Sequence, residues 1–369
     1  MGQYFNSSTL SVCILAVFES NVPIDDSEML PLLDTLFLPI NPCFSSIMIK
    51  DERGVQQWRR VKVNLADHIK VPVFPAGLSP LAYDKLVHDY MSKVGTDRLP
   101  ESRPLWQLHM IKYPTSHGEG TVMFKLHHAL GDGYSLLSAL FSCVKRADDP
   151  SLPLTFPMND IICGIILDGI QLYMQRVGDG SKSTQATALV LLNTRFIHNY
   201  KNPKEMAKPD AEFSWGNRFG FLHVSIPTRD GPDKDDPLKI ISEVKQLMNR
   251  KKSSREVFLT AQLLDTMRRF RGPEVAAQYI HSTLKNTSLS ITTLIGPKDK
   301  MSLTDHPVRS FHFMVVGVPQ SLVINMVSYM GKLKVAMGIE KGFIDAKLLT
   351  TCMEKAFEGI YEAALEEKP

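Results

Sequence analysis

The sequence predicts an α/β (α+β) fold in two subdomains, and three observations carry that reading. Segments of strand period alternate with segments of helix period along most of the chain, and a stretch rich in proline and aspartate divides it near residue 150. The third is composition: 369 residues, 44% hydrophobic and 22% charged, suffice for a sizeable core. The first subdomain is placed at residues 1–145, a linker or crossover at 146–158, and the second subdomain at 159–369.

Each element has a local reason. Ser11 to Phe18, rich in Val, Ile and Phe, reads as a strand, and Asp25 to Leu36 as a helix with acids at its positive end. Trp58 to Val63 reads as a strand, Leu81 to Met91 as a helix, and Leu105 to Ile111 as an extended segment. From Thr121 onward Val122, Phe124 and Leu126 alternate with Met123 and Lys125, a strand with one apolar face. Gly131-Asp132-Gly133 supplies a turn, and Leu136, Leu137, Leu140, Phe141 and Val144 follow at helical spacing with Asp132 placed to cap them. The linker holds Asp148-Asp149-Pro150, Pro153 and Pro157 and spans roughly 45 Å at most. Beyond it, Asn159-Asp160 opens a helix carrying Ile161, Ile162, Ile165, Ile166 and Ile170, and Gly178 to Thr187 is a connector. Ala188 to Asn193 and Gly220 to Ile226 read as strands, and Asp236-Pro237 starts a basic helix. Met314 to Val318 and Leu322 to Ser328 are strands, with Tyr329-Met330-Gly331 turning into Leu333 to Ile339. A last helix from Asp345 has the core stripe Leu348, Leu349, Cys352, Ala356, Phe357, Ile360 and Ala364.

Composition excludes several functions. With 42 basic and 39 acidic residues the formal charge is +3, too near balance for nucleic acid to be the principal partner. Five scattered cysteines without a Cys-x-x-Cys pair argue against a zinc ribbon or disulfide framework and fit reduced, mostly buried thiols in a cytosol-facing protein. The start Met1 to Asn6 lacks a signal peptide's basic region and has Asn6 where a myristoylation pattern needs Ser or Thr, so the sequons at Asn6 and Asn286 are expected to go unused. Ile161 to Met174, interrupted by Asp168 and Gln171, is too short to span a bilayer and reads as a buried helix. Any membrane contact is then expected to be peripheral, or to lie in sequence this chain lacks.

The chemistry concentrates at His127-His128-Ala129-Leu130-Gly131-Asp132-Gly133. His128 continues the apolar parity of its strand, so its ring faces inward, where desolvation keeps it neutral and fit to act as a general base. His127 continues the mixed parity and is read as a support. For Asp132 capping is favoured over catalysis. Adjacent strand residues point to opposite faces, so the pair does not suit a metal and none is expected. No nucleophile elbow, Walker loop or His-Glu-x-x-His helix occurs, and Gly118-Glu119-Gly120 is an isolated pair of glycines rather than a dinucleotide site. Arg250, Lys251, Lys252, Arg255, Arg268, Arg269 and Arg271 are read as a solvated helix face, favoured over a site for phosphates or anionic headgroups. Met326, Met330 and Met337 are core fillers before they are a lipid channel.

Pro104-Leu105-Trp106, the histidine motif and Asn159-Asp160-Ile161 resemble, in that order, three signature blocks of the wax ester synthase/diacylglycerol acyltransferase family. Trp215-Gly216-Asn217-Arg218-Phe219-Gly220, His281-Ser282-Thr283 and Ile295-Gly296-Pro297 resemble further blocks of its plant members. The resemblance implies a chloramphenicol acetyltransferase-like fold: two related subdomains, with mixed sheets flanked by helices, around a tunnel. It implies that His128 takes the hydroxyl proton of a fatty alcohol or diacylglycerol attacking a long-chain acyl-CoA, with acyl-CoA as substrate and no cofactor. It further implies that Asp132 holds the loop through an arginine, that Gly133 lets backbone approach the substrate, and that Trp106 and Asn159 shape the site. A peripheral, cytosol-facing place on the endoplasmic reticulum membrane follows from it, with the plasma membrane as the alternative.

Two departures accompany the resemblance. Only Arg146 to Met158 fills a place where family members carry a long segment, and the chain begins just before its first strand, as a shortened gene product would. Thr292-Thr293 stands where a Ser-Asn pair is common, removing an amide that helps polarise a carbonyl. The alternative function is therefore a noncatalytic acyl-CoA or lipid-binding remnant of the fold. A condensation-type enzyme with a polar acceptor is disfavoured, because the Asp-Phe-Gly-Trp-Gly block is not found.

Overall fold

A computed structural model of the chain describes residues 5–52, 56–156, 163–178, 186–195, 202–208, 210–211, 214–226, 236–253 and 256–366. Asn159 and Asp160, expected to open a helix beside the site, lie outside the described residues, as does most of the connector expected after Gly178. The first half runs β1 (Cys13–Ser20), α1 (Met29–Leu32), β2 (Ser46–Lys50), β3 (Gln56–Arg60), β4 (Ile69–Lys70), α2 (Pro80–Thr96), β5 (Trp106–Ile111), β6 (Gly120–His127), α3 (Gly133–Ser142) and β7 (Lys145–Arg146). The second runs α4 (Cys163–Val177), β8 (Thr187–Asn193), α5 (Pro203–Met206), β9 (Phe219–Ser225), α6 (Pro237–Ser253), α7 (Glu256–Arg271) and α8 (Pro273–Lys285). It continues with β10 (Leu289–Leu294), β11 (Met301–Leu303), β12 (His306–Val316), β13 (Leu322–Tyr329), β14 (Lys332–Ile339) and α9 (Ala346–Glu366).

Two mixed sheets carry the architecture. The first has strand order β4-β5-β6-β1-β12-β11-β7 and the second β14-β13-β10-β8-β9, while β2 and β3 form a separate ribbon. β11 and β12 come from late in the chain yet complete the first sheet, and β12 pairs antiparallel with β1 from Cys13↔Val316 onward. Just past β12, Gly317 has φ +82°, and a Cβ there would lie 2.0 Å from the Ser11 carbonyl oxygen. Only glycine allows that approach, which packs the exit of β12 on the entry of β1. The β13–β14 hairpin turns through Met330 (φ 51°) and Gly331 (φ 72°), the paired positive angles of a two-residue turn, as its sequence predicts.

β6 is buried along its whole length, which corrects the expectation of one apolar and one mixed face. Val122, Phe124 and Leu126 join the main core of the first half. Met123 packs on the opposite face with Leu15, Val17 and α2 residues Val87, Met91 and Val94. The mixed parity is covered because α2 lies over it, and Lys125 is accommodated by donating to the Val94 and Asp97 carbonyls at the end of that helix. The acid-led helix at Asp25 to Leu36 also needs correction. Asp25 Oδ1 accepts from Ser27 N at 3.0 Å and Asp25 N donates to His306 Nε2 at 2.8 Å, so a local turn bond and a long-range tie to the start of β12 hold the chain out of helix until Met29. After one α turn the coil widens to a π turn over Leu33–Phe37.

Other expectations shorten in the same way. On α9 only Leu349, Cys352 and Ala356 are buried, and Phe357 turns outward at 52% exposure beside Tyr361. Met326 is core, Met330 sits at the exposed hairpin turn and Met337 is half-buried, so the three methionines line no common channel. Among the described residues no helix is long and apolar enough to cross a membrane.

Trp106, fully buried, braces the first half from below the motif strand. Its indole N–H donates to Phe44 O at 2.9 Å, its ring stacks on His68 with centroids 4.1 Å apart, and its carbonyl lies 2.7 Å from His68 Nδ1. We expect Trp106→Ala to cost about 3–5 kcal/mol in urea unfolding through cavity formation. Trp106→Phe should cost less, near the ~1–3 kcal/mol of one unpaired buried carbonyl.

Candidate active site

The two histidines end β6 with separate partners. His128 extends the sheet by donating its backbone N–H to Val12 O at 2.8 Å, and its ring packs on Phe5 (centroids 4.4 Å apart) and edge-on to Phe219 (6.1 Å). Across from it stands Asn217, from the turn leading into β9. Asn217 Nδ2 donates to His128 O at 2.8 Å, which directs Oδ1 to His128 Nδ1 at 2.7 Å. The amide can serve both contacts in one orientation only, so Nδ1 carries the proton and Nε2 keeps its lone pair. Burial lowers the His128 pKa, against the opposing influence of Asp132 and Asn217, so the ring is neutral at pH 7.

His127 is occupied on both nitrogens. Ala129 N donates to Nδ1 at 3.1 Å, which leaves Nε2–H to donate to Ser11 Oγ at 3.2 Å. Burial first, then the neighbouring His128 and Lys125, push its pKa down to about 3. It turns away from the cavity that His128 lines.

Asp132 begins α3 and ties the halves together. Its Oδ1 accepts from Ser135 N at 2.9 Å as the helix cap, while Oδ2 accepts from Arg195 Nη1 at 2.6 Å and from Arg218 N at 2.9 Å. Burial alone would raise this carboxyl; the Arg195 guanidinium and the hydrogen bonds from Arg195, Ser135 and Arg218 hold it below the usual carboxylate range. Arg195 also donates to Gly216 O at 2.6 Å and Ser214 O at 3.2 Å, and Trp215 Nε1 donates to Leu130 O at 2.6 Å. The segment 214–218 is thus bonded to the histidine loop nearly residue by residue. Gly133 sits where a Cβ would come 3.0 Å from Leu294 Cδ1, so α3 can start tight against β10.

A cavity of about 100 Å³ lies against this junction. His128, Asp132 and Gly133 face it from the first half, and Phe219, Phe221, Thr292, Thr293 and Leu294 from the second. Its walls are predominantly apolar, as suits an aliphatic ligand. Pro104, Leu105 and Trp106 are not among its walls. Leu105 O accepts from His127 N at 3.0 Å and Trp106 pairs with Leu126, so this block, expected in part to shape the site, is placed in the core as an alignment brace for the motif strand. Among the described residues no cluster suited to a metal ion is present.

Sequence profiles described as the wax ester synthase/diacylglycerol acyltransferase catalytic domain and the WS/DGAT C-terminal domain match residues 44–160 and 215–361. The chain belongs to the wax ester synthase/diacylglycerol acyltransferase family. Relatives from Arabidopsis thaliana include wax ester synthase/diacylglycerol acyltransferase 3, 24% identical over 88% of this chain and 85% of that protein. Wax ester synthase/diacylglycerol acyltransferase 7 is 22% identical over 99% of this chain and 97% of its own length. That second alignment runs to 473 positions against 369 residues here, so the relative carries internal residues without counterpart in this chain. Among solved structures, the wax ester synthase/diacylglycerol acyltransferase from Marinobacter aquaeolei VT8 superposes with TM-score 0.61 at 14% identity, covering 96% of this chain and 95% of that one. A mutant starter condensation domain of rhizomide synthetase, in complex with C8-CoA and Leu-SNAC, gives 0.58 at 12% identity over 96% and 89% of the two chains. The chloramphenicol acetyltransferase-like fold expected from the resemblance is therefore the observed one.

Two site residues went unassigned in the sequence. Asn217 stood inside a family-like block without a role, and the arginine that the resemblance implies for Asp132 proves to be Arg195, which its own position did not single out because its partner lies in the other half. The buried ion pair predicts a large asymmetry. Arg195→Met should destabilise the protein by about 3–5 kcal/mol in urea, because Asp132 is left charged and unpaired. The Asp132 pKa is depressed in the fold, so the pair's contribution is complete above about pH 4 and is lost as pH falls through the lower folded value. Melting curves of wild type and variant should converge below about pH 4; parallel curves down to lower pH would refute the assignment.

Proposed function

We propose that this chain is an O-acyltransferase that moves a long-chain acyl group from acyl-CoA to the hydroxyl of a fatty alcohol or diacylglycerol, with His128 as general base. The observation that carries the reading is the Asn217–His128 clamp at the wall of an apolar cavity, with Nδ1 protonated and Nε2 free to accept. Family membership supports the acyltransferase class.

In this mechanism His128 Nε2 accepts the acceptor's hydroxyl proton as its oxygen attacks the thioester carbonyl. The new C–O bond forms, the C–S bond breaks, and the departing CoA sulfur takes the proton back from Nε2. No acyl-enzyme and no cofactor beyond the acyl-CoA substrate are needed. Asn217 holds the tautomer throughout, and the Asp132 charge favours the transient imidazolium. The apolar walls limit water, which protects the thioester from hydrolysis. Thr292 and Thr293 border the same cavity from the second half, on β10. Because the acceptors partition into lipid, the reading includes peripheral attachment to a cytosol-facing membrane, the endoplasmic reticulum or, as the alternative, the plasma membrane.

Purified protein given long-chain acyl-CoA and either acceptor should release CoA and form neutral lipid. His128→Ala should lose about 10²–10⁴-fold in kcat, and product that persists unchanged would sink the assigned base. Ligand binding without turnover in the wild type would favour the noncatalytic lipid-binding reading, which the missing internal residues motivate. The base must be unprotonated, so activity is present above its pKa and lost as pH falls through it. Burial places that acid limb below about 6.5. Asn217→Asp puts a carboxylate on Nδ1–H and should move the limb upward; Asn217→Ala removes a contact that opposes the burial shift, and should lower kcat by up to about 10²-fold while moving the limb further down.

A further inference from the structure

A second and larger cavity, about 540 Å³, adjoins the first. It lies between β9 and α7 and shares Arg218 and Phe219 with the apolar cavity, while Asn217, which clamps His128, lines it as well. Three arginines face it, Arg218, Arg268 and Arg269, and Asp265 is the single carboxylate among its described lining residues. That carboxylate orients two of the guanidinium groups, with Arg268 Nη2 at 2.7 Å from Oδ1 and Arg269 Nε at 2.7 Å from Oδ2. Three cations against one anion leave a formal excess of two positive charges in a concave surface. Phe270 stands at the same place with 82% of its surface exposed. Of the basic residues read from sequence as a solvated helix face, Arg268 and Arg269 therefore border a groove that shares Arg218 and Phe219 with the apolar cavity.

We propose that this groove seats the phosphorylated nucleotide end of the acyl-CoA donor, with Arg218, Arg268 and Arg269 meeting phosphates and Phe270 meeting the adenine face. The assignment rests on the acyl-CoA reading above. Coenzyme A joins a polyanionic nucleotide to a thioester through a narrow pantetheine arm, and the two cavities offer the matching sequence of surfaces: cationic with an aromatic, then the histidine, then apolar. Guanidinium forks suit phosphate oxygens, and an exposed aromatic ring suits stacking on a base. Arg218 couples the two ends, since its backbone N–H donates to Asp132 while the residue also lines the groove, its Nη2 donating to Ser214 Oγ at 2.8 Å.

Calorimetric titration of the whole protein with free CoA, dephospho-CoA and pantetheine tests this without turnover. The wild type should prefer CoA to dephospho-CoA, and Arg268→Gln with Arg269→Gln should weaken CoA by about tenfold or more, increasingly so at low salt, while pantetheine is unaffected. Phe270→Ala, at an exposed position that leaves the core untouched, should weaken CoA and dephospho-CoA alike. Unchanged CoA affinity in both variants overturns the groove assignment, and if acyl transfer persists the proposed activity stands without it. A wild type that binds no CoA in any form overturns both. If the arginine variant loses binding to phosphatidylglycerol vesicles while its CoA affinity is untouched, the arginines serve a lipid surface and the assignment is again overturned.

Discussion

A carboxylate as deeply buried as that of Asp132 stays charged because Arg195 reaches it from the other half of the chain at 2.6 Å. Desolvating each ion costs several kcal/mol, and the pair offsets that only with close geometry and further hydrogen bonds. Those bonds are present. Asp132 caps α3 through Ser135 and holds the Arg218 backbone, and Arg195 gathers the carbonyls of Ser214 and Gly216. The consequence is registration: one ion pair fixes where the 214–218 segment lies against the histidine loop, and so brings the Asn217 amide to His128 at 2.7 Å.

That registration explains how two adjacent histidines acquire different chemistry. Both are buried and both are pushed toward the neutral form. Their tautomers are opposite. The Ala129 N–H on Nδ1 of His127 leaves its proton on Nε2, bound to Ser11, whereas Asn217 Oδ1 leaves the proton of His128 on Nδ1 and its lone pair on Nε2. Pairing β6 with β1 on one side and β5 on the other fixes the strand in which this alternation is expressed. A ring with a free Nε2 lone pair and a ring bonded on both nitrogens result from one strand because opposite faces meet different neighbours.

Much of this was legible in the sequence, and the missing parts have physical causes. Strand period, Asp-Gly turn chemistry and helical spacing are local, so β6, the Asp132 cap, α3 and the Met330-Gly331 hairpin follow from a few residues each. The second buried face of β6 does not, because it depends on α2 folding back over Met123 and Lys125. Asp25 reads as a helix starter by charge, yet its carboxylate closes a turn on Ser27 instead, a competition that composition cannot decide. Phe357 continues a helical stripe that α9 has too few neighbours to cover. Arg195 and Asn217 lie 63 and 89 residues from their partners, beyond any periodicity.

The shortening relative to the curated relatives bears on the site in a specific way. Internal residues are missing from this chain, yet the histidine motif lies within 44–160 and the Trp215–Phe219 block within 215–361, both inside family-matched segments. Arg195 falls between those segments and still reaches Asp132. The contacts that set the His128 tautomer are therefore present in this shorter chain. What the missing residues alter has to be looked for in the walls of the two cavities rather than at the His128 contacts, because a buried ion pair and a two-point amide clamp tolerate little displacement before their hydrogen bonds fail.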